Sequence, residues 1–400
     1  MTYQPSDKIL KNYADVLVKF ALWGGEGIKK GDVVCLQVPE SAKPILIPLQ
    51  KAVLEAGGHF ITRYLPEGTA RHIYEDASDE QLTFMPEKFM LSRIEACDHF
   101  VSIIATDDKF ELKGIDSKKI MSRNAAAKFY KDAFMAKTDA NKSSWTLALY
   151  GTEAMAKDVD MSLEEYWEQI IKACFLDEDD PIAKWVEVNG QIEETKDKLN
   201  ALKIEKVHMV GEDVDLHVKL GADRQWLGGR GCNIPSFELF ISPDFRGTEG
   251  WMKFSEPLYR YGDLIKGIEL KFEGGKVVEA KASQNEELLK DMISVKNADQ
   301  IGEYSLTDKR FSRITRFMGE TLFDENVGGE FGNSHVAVGS AYRESYIGDP
   351  ETVSEEEWEE LGFNNSVVHT DIVSTTDRTV TATLQDGSEV VIYKDGMFQV

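Results

Sequence analysis

The hydrophobic pattern changes character near the middle of the chain. In the first half, short apolar runs alternate with longer stretches of helical spacing. "DVVCLQV" reads as a strand, "SAKPILIPLQKAVLEAG" as a helix closed by glycine, and "HFITRYL" as the next strand. A polar helical stretch leads to "HFVSIIAT", and another around "MSRNAAAKFYKDAFMAK" leads to "SWTLALYG". Strand runs this apolar suit positions covered on both faces, so the rhythm predicts a mostly parallel sheet packed under helices. "MSLEEYWEQIIKACFLDEDDP", which opens on a capping serine, and "IAKWVEVNGQIEETKDKLNAL" predict two further helices with much exposed charge.

From "KIEKVHMVGEDVDLHVKLG" onward the period shortens to two. "IKGIELKFEGGKVVEAKA" and "RTVTATLQDGSEVVIYKDGMFQV" alternate apolar and polar residues around GG and DG pairs, whose glycines tolerate the positive φ of tight turns. Antiparallel hairpins follow, interrupted by a helix near "NEELLKDMIS". The expected fold class is α/β and α+β. An N-terminal α/β domain with a mostly parallel sheet occupies residues 1–200, and a mainly antiparallel β domain, a curved sheet or partial barrel, occupies 201–400.

Composition narrows the function by exclusion. With 46 basic against 70 acidic residues the formal charge is −24, which repels a phosphate backbone and an anionic lipid surface, so neither nucleic acid nor a membrane is an expected partner. No basic segment followed by an apolar stretch opens the chain, and no run reaches 18 uninterrupted apolar residues, which points to a cytoplasmic protein. The four cysteines stand far apart without a CxxC and read as buried free thiols. A βαβ rhythm invites a nucleotide, but the first strand runs into "PESAKP" with neither GxGxxG nor GxxxxGK[ST] after it. The acidic run Asp177 to Asp180 reads as a solvated turn.

Ionisable residues inside apolar sequence mark four segments of the second half. In "NIPSFELFISPD", Glu238 sits between Phe237 and Leu239; a buried carboxylate there needs a proton, a cation or several hydrogen bonds, whereas an outward glutamate needs none. "IGEYSLTD" contributes Glu303. "GETLFDENVGGEFGNSHVAVGSAY" contributes Glu325, His335 and Tyr342 among glycines that let the backbone turn closely. In "NNSVVHTDIV", strand geometry projects His369 and Asp371 together, with Val368, Thr370 and Ile372 on the opposite face. Two imidazoles and four carboxylates suit two divalent cations. Spacing alone does not show that they meet, and no HExxH helix is present. A hydrolase with a carboxylate-rich metal centre and a nonenzymatic domain with one structural ion both fit the residues.

Taken in order, "NIPSFELFISPDFRGTEGW", "GEYSL", "TLFDEN", "SHVAVGSAY" and "HTDIV" resemble the motifs of the M29 family of thermophilic aminopeptidases, the group of aminopeptidase T and aminopeptidase S. The resemblance extends to the two-part division of the chain. It implies Glu238, Glu303, Glu325, His335, His369 and Asp371 as ligands of two divalent metal ions, of zinc, cobalt or manganese type. It also implies Glu303 as the bridging, catalytic carboxylate and Tyr342 as the active-site tyrosine. The implied activity is that of a metallo-aminopeptidase, an exopeptidase that hydrolyses the first bond of peptides with a free N terminus through a two-metal-activated water. Such enzymes are commonly homodimers. A catalytically silent peptide-binding protein of the same fold and a different metal-dependent amidohydrolase are the competing readings. Retention of all six ligands opposes the first, and the complete motif series opposes the second.

One departure is local. "DENVGGEFGNSH" is longer than the corresponding family loop; Glu330 lies in it, and Glu325 is preferred as ligand because it belongs to "TLFDEN". In "DRQWLGGRGCN", Arg224 and Arg230 fit structural hydrogen bonding better than the steering of a peptide carboxylate, and no base accompanies Cys232. Trp226 and Trp251 read as packing or dimer residues.

Overall fold

A sheet of uniformly apolar strands needs cover on both faces, and the first of two compact units supplies it with helices. The computed structural model describes residues 3–228, 231–260 and 263–400. β1 (Val33–Pro39), β2 (His59–Leu65), β3 (His99–Ile104) and β4 (Ser144–Leu149) form the expected parallel sheet in the order β2-β1-β3-β4. The central β1 and β3 are largely buried, while the edge strand β2, with its Thr62 and Arg63, is mostly exposed. Helix Asp7–Lys19 starts at Ser6, whose Oγ accepts the Ile9 N–H, and buries Leu10, Tyr13 and Leu17. The Tyr13 hydroxyl then donates to the Leu149 carbonyl at 3.0 Å, fixing this helix to β4. The stretch around "MSRNAAAKFYKDAFMAK" forms two helices, Ser117–Ala126 and Lys128–Asp139. Lys137 donates to the Ile94 and Cys97 carbonyls, and Arg123 to that of Leu82, so tertiary contacts made separately by each helix accompany the break.

The division between the units falls at Val186 and Glu187, inside the single helix Pro181–Ala201 whose C-terminal end meets the expected boundary near 200. Unbroken helical periodicity leaves no mark of that point in the sequence. The second unit begins its strands with β5 (Ile204–Gly211), β6 (Val214–Lys219) and β7 (Leu227–Gly228). The chain then returns to the first unit for β8 (Asn233–Ile234), which pairs parallel with β4, before entering β9 (Glu238–Ile241). There follow β10 (Glu249–Lys253), the hairpin β11 (Leu258–Arg260) and β12 (Asp263–Ile265), β13 (Glu269–Glu273) and β14 (Lys276–Lys281). The remaining strands are β15 (Ile301–Thr307), β16 (Asn333–Gly339), β17 (His369–Ser374), β18 (Arg378–Leu384), β19 (Glu389–Lys394) and β20 (Met397–Phe398).

The expected antiparallel pairing takes the form of two larger sheets, β14-β13-β10-β6-β5-β18-β19-β20 and β17-β16-β15-β9-β7. Both β15 and β16 are buried at every position. Period two explains how a strand containing Glu303 tolerates this. Tyr304 and Leu306 pair with Ile241, Leu239 and Val336 on one face, where the Tyr304 hydroxyl meets Met209 Sδ of β5 at 3.8 Å. Glu303, Ser305 and Thr307 occupy the other face.

The exit of β9 is pinned by a buried carboxylate. Asp244 accepts hydrogen bonds from Arg246 Nε at 2.7 Å, Arg246 Nη2 at 2.8 Å and Lys219 Nζ at 3.0 Å, and Arg246 reaches on to the Glu360 carbonyl. Burial alone raises the Asp244 pKa, but the Arg246 and Lys219 cations bring it below the ordinary carboxylate value. Its contribution to stability is therefore complete above an unfolded-state pKa of about 3.9 and is lost as pH falls through the depressed native value. Asp244→Asn should lower stability at pH 7 by about 1–3 kcal/mol. Urea titrations at pH 7 and pH 3 check this; the gap between parent and variant should shrink on acidification.

Candidate metal centre

Alternation on four strands gathers polar residues onto one face of the five-stranded sheet. Glu303 pairs with Ala337, and Ala337 with Asp371, so two carboxylates on separate strands flank one methyl group. One step along, His335 lies between Ser305 and Val373; at the other end, Gly339 pairs with His369, and Glu238 pairs with Thr307. Two glycines permit this closeness. A Cβ on Gly302, where the β15 register slips, would lie 2.3 Å from the Ser340 carbonyl oxygen; one on Gly339, at φ +106°, would lie 2.1 Å from that of Val368.

His335 Nε2 lies 3.1 Å from Glu303 Oε1, 3.4 Å from Glu238 Oε2 and 3.8 Å from Asp371 Oδ1. His369 Nε2 lies 3.5 Å from Glu303 Oε2 and 3.5 Å from Asp371 Oδ1. The ligand atoms thus form two groups, Glu238 with Glu303 and His335, and Glu303 with His369 and Asp371, each spanning no more than 4.8 Å. Glu303 belongs to both. Glu325 closes the short helix Thr321–Asp324; it is buried and outside either group, yet close enough for Glu238, Asp371 and Glu303 to act on its charge. The structure therefore brings five of the six expected ligands into two compact groups and sets the sixth beside them.

The donor set fits divalent cations on electrostatic grounds. Burial pushes the Glu238 carboxyl up to about 7, and burial with the neighbouring carboxylates pushes Glu325 well above its usual range. Burial alone would lower His335, but Glu303, Glu238 and Asp371 lift it to about 9, while the two histidines hold Asp371 down to about 2 despite its burial. Protons therefore offset the crowded negative charge here, and a metal ion can replace them. Second contacts orient the ligands. His369 Nδ1 is 2.7 Å from the Ser340 carbonyl, so its N–H donates there and Nε2 is turned toward Glu303 and Asp371. His335 Nδ1 is buried, with no hydrogen-bond partner among the described residues.

Sequence reasoning missed the supports. Ser236 and Ser305 donate to Glu238 at 3.3 and 3.4 Å. Asn326 Oδ1 accepts the Phe237 N–H at 2.6 Å while its amide donates to the Leu322 carbonyl at 3.1 Å, clamping β9 to the helix that carries Glu325. Asn326 is the last residue of "TLFDEN", and its place beside Glu325 was the available signal. Tyr342 stacks at a tilt on His369, with centroids 4.7 Å apart, and 39 % of its surface is accessible. Desolvation, then the Glu303 and Asp371 charges, hold its phenol far above the ordinary range, so it keeps its proton.

Other candidates take structural positions. Arg224 is buried over the Phe363 ring and donates to the Ser242 and Leu361 carbonyls. Arg230 lies outside the described residues. Trp226 is buried and Trp251 half-buried; Cys35, Cys97 and Cys174 are buried free thiols, but Cys232 is only half-buried. Glu330 is exposed, and its backbone carbonyl takes a bond from Lys309. Asp177, Asp179 and Asp180 are exposed.

Buried carboxylates and imidazoles converging from separate strands are the construction of a metallohydrolase site. The family model described as thermophilic metalloprotease (M29) matches residues 6–398. Aminopeptidase T of Thermus thermophilus is 29% identical over 413 residues, covering 98% of this chain and 99% of that protein. Aminopeptidase AmpS of Bacillus subtilis is 27% identical over 410 residues, covering 97% of each. The solved structure of wild-type AmpT from Thermus thermophilus superposes with a TM-score of 0.84 at 25% identity, covering 98% of this chain and 99% of that one. The chain belongs to the M29 family of thermophilic metalloproteases, as its motifs implied, and is an enzyme of the hydrolase class.

Ala337 tests the register. Ala337→Val adds bulk between Glu303 and Asp371 and should cost about 1–3 kcal/mol by overpacking. Elemental analysis of the folded variant should show less bound metal than in the parent under equal loading.

Proposed function

We propose that this enzyme is a two-metal aminopeptidase that removes residues from the free N termini of peptides. The observation that carries this is the placement of Glu303, whose two oxygens face different histidines, Oε1 toward His335 and Oε2 toward His369. That is the disposition of a bridging carboxylate. Glu238 and His335 would hold one ion, His369 and Asp371 the other, and Glu325, beside both groups, would add the sixth ligand. Two ions of zinc, cobalt or manganese type would supply Lewis acidity there, for activation of water and polarisation of the scissile carbonyl.

The chain's own groups supply orientation. The Ser340 carbonyl fixes the His369 ring, and the Ser236 and Ser305 hydroxyls hold Glu238. Tyr342, protonated beside His369, donates its hydroxyl to the oxygen on which charge develops during attack. A metal would receive the uncharged terminal amine, and a nearby carboxylate would recognise the protonated one, so both forms favour a free N terminus. The relatives from Thermus and Bacillus are aminopeptidases, and their full-length similarity supports this assignment. Among the described residues no helix is long and apolar enough to cross a membrane. We place the working enzyme in the cytoplasm as a homodimer; light scattering should give twice the chain mass of 45.0 kDa.

His369→Ala and Asp371→Ala should each reduce bound metal and lower peptide turnover by about 100-fold or more while the protein stays folded. Mass spectrometry of a test peptide should show shortening from the N terminus, abolished by chelation and restored by added zinc, cobalt or manganese. The N-acetylated peptide should stay intact. Internal cleavage, or metal content and turnover unchanged in both variants, would sink the assignment; binding without products under every metal would identify a silent peptide-binding protein.

A further inference from the structure

A further histidine group lies on the eight-stranded sheet, outside the peptidase site. His208, Asp215 and His217 present ligand atoms all within 4.8 Å of one another. They sit on β5 and β6, joined by the turn at Glu212 and Asp213. His208 pairs directly with His217, and Val210 with Asp215, so the three side chains share one face, while Val207, Met209, Leu216 and Val218 are buried on the other. The imidazole rings stack with centroids 3.8 Å apart and planes 13° apart, and His208 Nε2 lies 2.8 Å from Asp215 Oδ1.

Two imidazolium ions stacked so closely would repel, so at least one ring presents a lone pair. Burial first, then the facing His208, lowers the His217 pKa from its ordinary value. The other charged groups around it are Asp215 on its own strand, Lys206 and Lys219 one pair further along the hairpin, and Glu249 opposite it on β10. Thr381 of β18 faces His208.

We propose that His208, Asp215 and His217 form a second cation site that takes a divalent ion of the zinc, nickel or copper class. Two imidazoles select this class over magnesium or calcium, which would find a single carboxylate among three ligands. Tetrahedral coordination at zinc distances sets ligand atoms about 3.3 Å apart. The side chains of His208 and Asp215 are 38% and 57% exposed, so the group can close to that spacing by side-chain rotation without backbone movement. Glu249, whose Oε1 accepts the Gly274 N–H at 2.7 Å, is not part of the group, so water would complete the coordination. With two lysines beside it, the ion is held by coordination rather than by a general negative field. Bound there, it links both strands of the hairpin and stabilises the native state in proportion to its occupancy.

Equilibrium dialysis against zinc, with bound metal counted per chain, should compare the parent with the double variant His208→Gln/His217→Gln. The double variant should bind one zinc fewer per chain and keep peptide turnover within about twofold, since neither residue belongs to the peptidase site. Asp215→Asn alone should weaken this zinc by about tenfold. Imidazole proton spectra of the parent give a reading independent of any variant's folding: the His208 and His217 signals should move on zinc addition after the tighter sites are filled. Equal zinc per chain in parent and double variant up to about 100 micromolar free metal, or histidine signals that do not move, would overturn the site.

Discussion

Crowding of like charge is the constraint on which the second unit depends. Glu303 and Asp371 are brought close enough to Glu238 and Glu325 to raise the pKa of both, in surroundings that exclude most water. Each buried, unpaired carboxylate would cost several kcal/mol. The chain offsets this with His335 and His369 and with hydroxyl donors, and a cation can take over where protons now sit. Stability and metal binding are thus coupled: what makes the metal-free site costly makes it a strong site for a divalent ion.

The scaffold works by leaving room as much as by filling it. Ala337 separates Glu303 from Asp371 with a single methyl group, and Gly339 brings β16 against the backbone of β17. The opposite face of the same strands carries Tyr304, Leu306, Val336 and Val338, fully buried residues that fix the sheet in place. A rigid apolar face behind a polar one is how a β-sheet holds several ligands to a fraction of an ångström. Asn326 and Asp244 extend that rigidity to the two ends of β9, the strand that delivers Glu238.

The Thr321–Asp324 segment shows how the site joins unlike elements. Four ligand-bearing strands belong to one sheet, but Glu325 arrives from a helix cap, tied in by Asn326 rather than by strand pairing. In the loop that follows, only Gly329 and Glu330 are exposed; Gly328 and Gly332 are buried, where a Cβ would lie 2.6 Å from the Ser312 carbonyl oxygen and 2.5 Å from that of Thr307.

Local periodicity determined much of this protein. The parallel strands of the first unit, the hairpins of the second, the helix opened by Ser162 and the joint projection of His369 and Asp371 were legible because each depends on residues within a few positions of one another. The residues that gather at the candidate metal centre were legible through ordered motifs. Tertiary structure alone decided the rest. Which oxygen of Glu303 faces which histidine depends on a register slip at Gly302; the hold on His369 comes from a backbone carbonyl, which leaves no trace in residue type. The unit boundary inside helix Pro181–Ala201, and the return of β8 to the first sheet, follow from contacts between residues far apart in sequence. Hydrophobic pattern specifies which face of an element is buried; it does not specify what that face is buried against, and that pairing is set only when the whole chain packs.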